Sequence, residues 1–362
     1  MPFRIFALFM LVLFSCQNNT EPTNHPFFLG TYTDGDSQGI YLYNLSDGGI
    51  LSEEKLIAKS ENPSFLAMDK ERKYLLAVNE LDSGTVESYK ITADSLLLLS
   101  QSAAGGAHPC FITTNDQGYV LTANYTGGNT GLLRINSDGQ LSPLLDTLQH
   151  FGQSITDRQQ APHAHSAWFA PNGSDIIAVD LGTDELWFST IENDKLQPAA
   201  TQQLSMEAGA GPRHLTFHPN GQWAYVINEL NNSVTQVTME ESGEYTRGDS
   251  WSTLPEDFSG ESYCADIHIS SDGKFVYASN RGHNSLAIFG VDEADGSLSF
   301  IKTGSVRGEW PRNFALSPDE NFLLVANQHS NNITCFKRNK ESGLLEFVSE
   351  VEAPSPVCIL FK

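Results

Sequence analysis

The chain has 362 residues, of which 44 are Asp or Glu against 21 Lys or Arg, for a formal net charge of −23. Nucleic acid and anionic membrane surfaces both call for a basic face, so this balance excludes them as expected partners. The length suits two ordinary domains or one large domain built from repeats.

At the N-terminus a single positive charge, Arg4, precedes an apolar run of about eleven residues that ends at Cys16. That run is too short to cross a bilayer as a helix, and it fits a secretory signal. Leu13-Phe14-Ser15-Cys16 resembles the lipobox of bacterial lipoproteins, in which the cysteine is lipidated and becomes the new N-terminus; an ordinary signal peptide is the alternative. Residues 1–16 are therefore expected to be a lipoprotein-type signal, 17–26 a polar tether and 27–362 the folded body. The protein is expected to be exported, periplasmic or membrane-anchored, and to touch a membrane only through the lipid anchor at Cys16.

From Phe27 onward one pattern recurs. Phe27 to Thr33 with Gly39 to Tyr43 reads as later strands of a unit that lacks its first. Complete strand-turn-strand copies then run from Pro63 to Asn79, Pro109 to Asn124, His163 to Asp180, Pro212 to Asn228, Cys264 to Asn280 and Pro311 to Asn327. In each, an apolar run, a turn such as Pro219-Asn220-Gly221, and a second run rich in aromatic and β-branched residues follow one another. The Asn or Asp that ends each second run recurs at about fifty residues, the size of a four-stranded propeller blade. Third and fourth strands follow, as in Asn284 to Phe289 and Leu298 to Ile301. Helix-period segments are absent, so the class is all-β. Pro356 to Phe361 supplies the missing first strand of the N-terminal unit. Joining the chain ends in one blade closes a seven-bladed β-propeller and hides the edges an open array would expose.

The repeats, with Gly211-Pro-Arg-His214, Arg281-Gly-His-Asn-Ser285 and Gly30-Thr-Tyr-Thr33, resemble the lactonase family of seven-bladed propellers over roughly Phe27 to Lys362. That family includes bacterial 6-phosphogluconolactonases and fungal carboxymuconate-lactonizing enzymes. The resemblance implies a 6-phosphogluconolactonase-like carboxylic ester hydrolase of carbohydrate metabolism, which opens a sugar-acid lactone. It also points to His165, Arg213, Glu229 and Arg281 as site residues. A muconate-type cycloisomerase and a non-catalytic ligand- or protein-binding propeller are the alternatives.

The residues themselves lead to the same place. First strands line a propeller's channel, and their preceding loops face one mouth. Aligning the copies makes Ser64, Cys110, His165, Arg213, Ala265 and Arg312 equivalent, and likewise Glu80, Tyr125, Leu181, Glu229, Arg281 and Gln328. These two rings are rich in Arg, His and Glu. Opening a lactone needs a base for water and cations or donors for the oxyanion; Glu229 and His165 suit the first task, Arg213 and Arg281 the second. His108, Tyr125, His163, Arg312 and Glu80 are candidate substrate-binding residues for a small anionic or lactone substrate. His214 and His283 read as pointing outward, and His218 and His268 as packing residues. The segment from Asp146 to Gln160 is long and polar enough to serve as a lid.

No metal or organic cofactor is expected. His163 and His165 alternate on one face but lack a third ligand pattern, and no Walker loop, dinucleotide fingerprint or Gly-x-Ser-x-Gly elbow occurs. Cys110, Cys264, Cys335 and Cys358 lie in strand-like runs with no C-x-x-C spacing, and read as buried hydrophobes.

Overall fold

Apolar residues in every second strand run almost without a break, and the computed structural model shows where both faces go. It describes residues 24–240 and 242–362; the expected signal over residues 1–16, with Cys16, lies outside them. In the strand Trp223–Asn228, Ala224 and Val226 pack against Val179 and Leu186 of the preceding blade. Tyr225 and Ile227 turn the other way, onto Cys264 and Ile267 of the next. Alternation sends successive side chains to opposite faces, and here both faces are interior.

The described residues form seven four-stranded antiparallel sheets, six of them in simple chain order. Their apolar side chains make seven clusters, one between each pair of neighbouring blades. The first strands touch one another in a complete circuit, from Leu66–Met68 round to Pro356–Phe361 and back. The seventh sheet joins the chain ends: Phe27 pairs with Phe361, Phe28 with Leu360 and Leu29 with Ile359. The expected class and closure are both present.

One boundary differs. The first strand is Asn24–Thr31, with Asn24 opposite Ser46 and His25 opposite Leu45. Asn24, His25 and Pro26, read as tether, therefore belong to the ladder. Backbone pairing needs no apolar side chain, so polarity alone placed the limit too late.

Polar residues tie the blades together. The residue that ends each second strand is buried: Asn228 Nδ2 donates to Ser233 Oγ and Thr235 Oγ1, both at 2.8 Å, and Asn280 Nδ2 to Ser285 Oγ and the Thr253 carbonyl. Between blades, the hydroxyls of Tyr225 and Tyr277 donate to the carbonyls of Gly296 and Gly343 at 2.8 and 2.9 Å. Each strand end is thereby fixed against its neighbours, which holds the residues just beyond it in place.

Candidate active site at the channel mouth

A register shift recurs where the first strands reach the axis. It skips Cys110, His165, Arg213 and Arg312 in their blades, and Ala265 with Asp266 in another. A bulge leaves its extra residue outside the ladder and re-aims the side chain. Five of the six positions aligned in the sequence are thus bulges; Ser64 instead lies just before its strand, Leu66–Met68.

Pro212 pairs with Asn228; Arg213 follows in the bulge of the first strand. Glu229 lies just past the end of the second, its N–H donating to the Gly211 carbonyl, and the two side chains meet across that pair. Glu229 Oε2 lies 3.2 Å from Arg213 Nε and 2.8 Å from Arg281 Nη2, and its Oε1 accepts from Arg158 Nη2 at 3.0 Å. Burial alone would raise this carboxyl, but Arg281, Arg213, Arg158 and Arg312 outweigh it and hold the pKa at about 2. Arg281 is fixed further by the carbonyls of Tyr263 and Cys264 and lies over the Trp310 ring. Arg213 Nη1 donates to the Ala265 carbonyl, whereas its buried Nε, though near Glu229, is not aligned with any acceptor. Burial, Arg281 and Arg312 lower the Arg213 pKa to about 10, which still leaves it charged near neutrality.

His165 is buried beside this cluster, its Nδ1 3.6 Å from Cys110 Sγ. Burial first, then Arg213, His214 and Arg312, depress its pKa well below the usual histidine range, so the imidazole is neutral at pH 7. Tyr125 stacks on His163 at 4.4 Å and meets His165 edge-on at 5.5 Å. Both histidines therefore flank one tyrosine, as their alternation suggested. Among the described residues no group of three or more His, Cys, Asp or Glu is placed to hold a metal.

Across the mouth, Tyr32 joins two of the expected residues. Its hydroxyl donates to Glu80 Oε2 at 2.9 Å and accepts from Arg312 Nη2 at 2.7 Å. His108 stands apart, 3.5 Å from Asp82 and outside the Glu229 network. Ser64 Oγ, His108 Nδ1 and Gln328 Oε1 are buried with no partner among the described residues, which marks this rim as a polar receiving surface.

Three readings of the sequence change. His214 turns inward: Nδ1 is 2.9 Å from Asp266 Oδ1, and Nε2 is 3.3 Å from Arg213 Nη1. The bulge at Arg213 shifts the alternation by one, which puts His214 on the channel floor with Phe65 and Phe111. His268 belongs to the same network, its Nε2 3.1 Å from Asp266 Oδ2. Glu229 is not a free base, because three guanidinium groups hold its charge. The segment from Asp146 to Gln160 reaches the mouth through Arg158, which bonds to Tyr125 and Glu229, and is tied to it by Gln159, which bonds to the Leu181 carbonyl. Tyr32 was missed because its blade is split between the chain ends, where it holds the place of Glu80 and Glu229; Arg158, His214 and Asp266 were missed because only tertiary pairing reveals their contacts.

Comparison with known proteins agrees with this geometry. The sequence profile described as "Lactonase, 7-bladed beta-propeller" matches residues 26–361. This chain belongs to the lactonase family. Within it, the 6-phosphogluconolactonase of Bacillus subtilis (strain 168) is 38% identical over 346 residues, covering 94% of this chain and 99% of the relative. A periplasmic gluconolactonase from Pseudomonas aeruginosa has a structure that superposes with a TM-score of 0.90 at 31% identity, over 94% of this chain and 99% of the other. A Lactobacillus plantarum protein superposes with a TM-score of 0.89 at 33% identity, over 94% and 100%. An uncharacterized protein of Lactococcus lactis is 35% identical over 337 residues, covering 92% of this chain and 98% of the relative.

Proposed function

We propose that the protein hydrolyses sugar-acid lactones, in the manner of a 6-phosphogluconolactonase, with no metal or organic cofactor. The observation that carries this is Glu229, buried and ionised between Arg213 and Arg281, beside a neutral His165 at the mouth of the channel. The activities named for the Bacillus and Pseudomonas relatives support the same class.

In this reading His165 accepts a proton from water as the water oxygen bonds to the lactone carbonyl carbon. The carbonyl electron pair moves to oxygen, where guanidinium N–H donors hold the new charge. As that charge collapses, the ring C–O bond breaks and the ring oxygen takes the proton from His165, which returns to its neutral form and leaves the open hydroxy acid. Glu229, with its basicity suppressed, keeps Arg213 and Arg281 aligned.

The test is hydrolysis of an aldonolactone panel in an indicator assay, corrected for spontaneous opening. Wild-type protein is expected to accelerate opening, and Arg213→Ala to lower turnover by about 10² or more. If no lactone opens faster than its spontaneous rate, the proposal fails. We place the protein outside the cytoplasm, anchored at Cys16 with a short link to the first strand at Asn24. Membrane fractionation of wild type and Cys16→Ala tests this: the variant should be released, and equal partitioning would exclude the anchor.

A further inference from the structure

Four arginines converge on the mouth, and one is held differently. Arg213 and Arg281 are buried, with side chains 2% and 6% exposed, and both donate to backbone carbonyls. Arg312 donates to Tyr32. Arg158 is 48% exposed and uses one nitrogen, Nη2, for both of its contacts, Tyr125 Oη and Glu229 Oε1, each at 3.0 Å. Its Nε and Nη1 meet no acceptor among the described residues.

Arg158 reaches only Oε1 of Glu229, whose Oε2 faces two buried guanidinium groups. Its backbone is nonetheless well placed. The next residue, Gln159, is fully buried; its Nε2 donates to the Leu181 carbonyl at 2.8 Å, and its Oε1 accepts from Thr156 Oγ1 at 3.0 Å. A fixed backbone with an exposed planar fork suits recognition of a two-oxygen anion without a costly loop movement. The charges agree: Arg158, Arg213, Arg281 and Arg312 face three carboxylates, Glu229, Glu80 and, behind His214, Asp266, so the mouth still favours a ligand with negative charge.

We infer that Arg158 binds an anionic group, phosphate or carboxylate, that the substrate carries away from its lactone ring. This rests on the lactonase reading and adds a specificity-determining residue to it.

The experiment compares wild type, Arg158→Ala and Arg158→Lys on three lactones: 6-phosphogluconolactone, a glucarolactone with a free carboxylate, and neutral gluconolactone. Arg158→Ala should raise KM for a charged lactone by about tenfold or more, the scale of a charge-assisted hydrogen bond, with much smaller change in kcat. Its KM for the neutral lactone should stay within about twofold, and Arg158→Lys should recover part of the loss. The charged lactone that shows the penalty identifies the anion. Equal effects on charged and neutral lactones, no effect on any, or a wild type that opens only the neutral one overturn the inference. If wild type opens no lactone, the lactonase reading fails, and calorimetry with inorganic phosphate and gluconate decides the role of Arg158 separately. Wild-type binding weakened about tenfold in Arg158→Ala supports it, whereas equal binding or none overturns it.

Discussion

Arg213 and Glu229 leave adjacent strands of one blade and meet at the channel, Nε to Oε2 at 3.2 Å, with both side chains at most 5% exposed. The bulge at Arg213 and the strand end at Asn228 set this meeting, so the pair is a product of the ladder's register. A buried carboxylate with two buried guanidinium partners is an electrostatic unit whose parts do not survive separately. Removing one partner leaves uncompensated charge in a desolvated site.

Glu229→Gln keeps the shape and removes the charge, leaving Arg213 and Arg281 without their common counter-ion. We expect a stability loss of about 3–5 kcal/mol in urea unfolding, together with at least a hundredfold lower lactone turnover. A variant with wild-type stability would show that the buried arginines do not depend on Glu229.

His165 makes stability depend on pH in a defined direction. Its folded-state pKa lies well below the ordinary value of 6.5, with burial the leading cause. Below pH 6.5 the unfolded chain takes up a proton that the folded protein refuses, so stability falls as pH falls, by about 1.4 kcal/mol per pH unit for one proton. His214, lowered to about 4, acts in the same direction, and His268, raised by Asp266 against its own burial, acts oppositely. Comparing wild type with His165→Gln by chemical denaturation between pH 6.5 and 5 isolates the first contribution. The variant should lose stability less steeply; parallel curves would mean that His165 titrates normally.

Much of this architecture was legible in the chain. The recurring Asn79, Asn124, Asp180, Asn228, Asn280 and Asn327 fixed the blade period, because each closes a second strand and is buried there. Pro356 to Phe361 announced the closure by having no partner of its own. Arg213, Glu229, Arg281 and His165 stood out because they replace bland residues at equivalent positions. The directions of His214 and His268 were not legible, since a one-residue bulge reverses alternation without changing composition. Tyr32 holds, in the blade split between the chain ends, the place that Glu80 and Glu229 hold in theirs, just past a second strand, and the split hid that equivalence. Arg158 comes from an insert without a repeat equivalent, and only folding brings it to Glu229.

The four described cysteines are free and buried, and none is poised as a nucleophile. Burial pushes the Cys264 thiol up to about 12 and raises Cys110 as well, despite the arginines close to it. Native protein should therefore leave all four unmodified by iodoacetamide at pH 8, with labelling only on denaturation. Rapid native labelling of Cys110, read by mass spectrometry, would instead reveal a thiolate at the site.

The junction of the chain ends is where the ring can be opened, although Val357 lines the same cavity as Arg213, His214 and Arg312. Beyond its ladder with Phe27, Phe28 and Leu29, the strand Pro356–Phe361 gives Ile359 N–H to Asn313 Oδ1 at 2.7 Å, and its Phe361 carbonyl accepts from Arg72 Nη2 at 2.8 Å. It thus bonds to the blades on both sides as well as to its own. Deleting residues 356–362 would bare the strand Asn24–Thr31 and expose two inter-blade clusters at once. We expect the truncated chain to lose its cooperative thermal transition and to aggregate. Ile359→Ala, which keeps the ladder and removes only buried methyl groups, should cost about 2–5 kcal/mol and keep a single transition. The contrast between the two variants in calorimetry separates closure from packing. A truncated chain that melted cooperatively at the wild-type temperature would show that the other six blades hold the ring unaided.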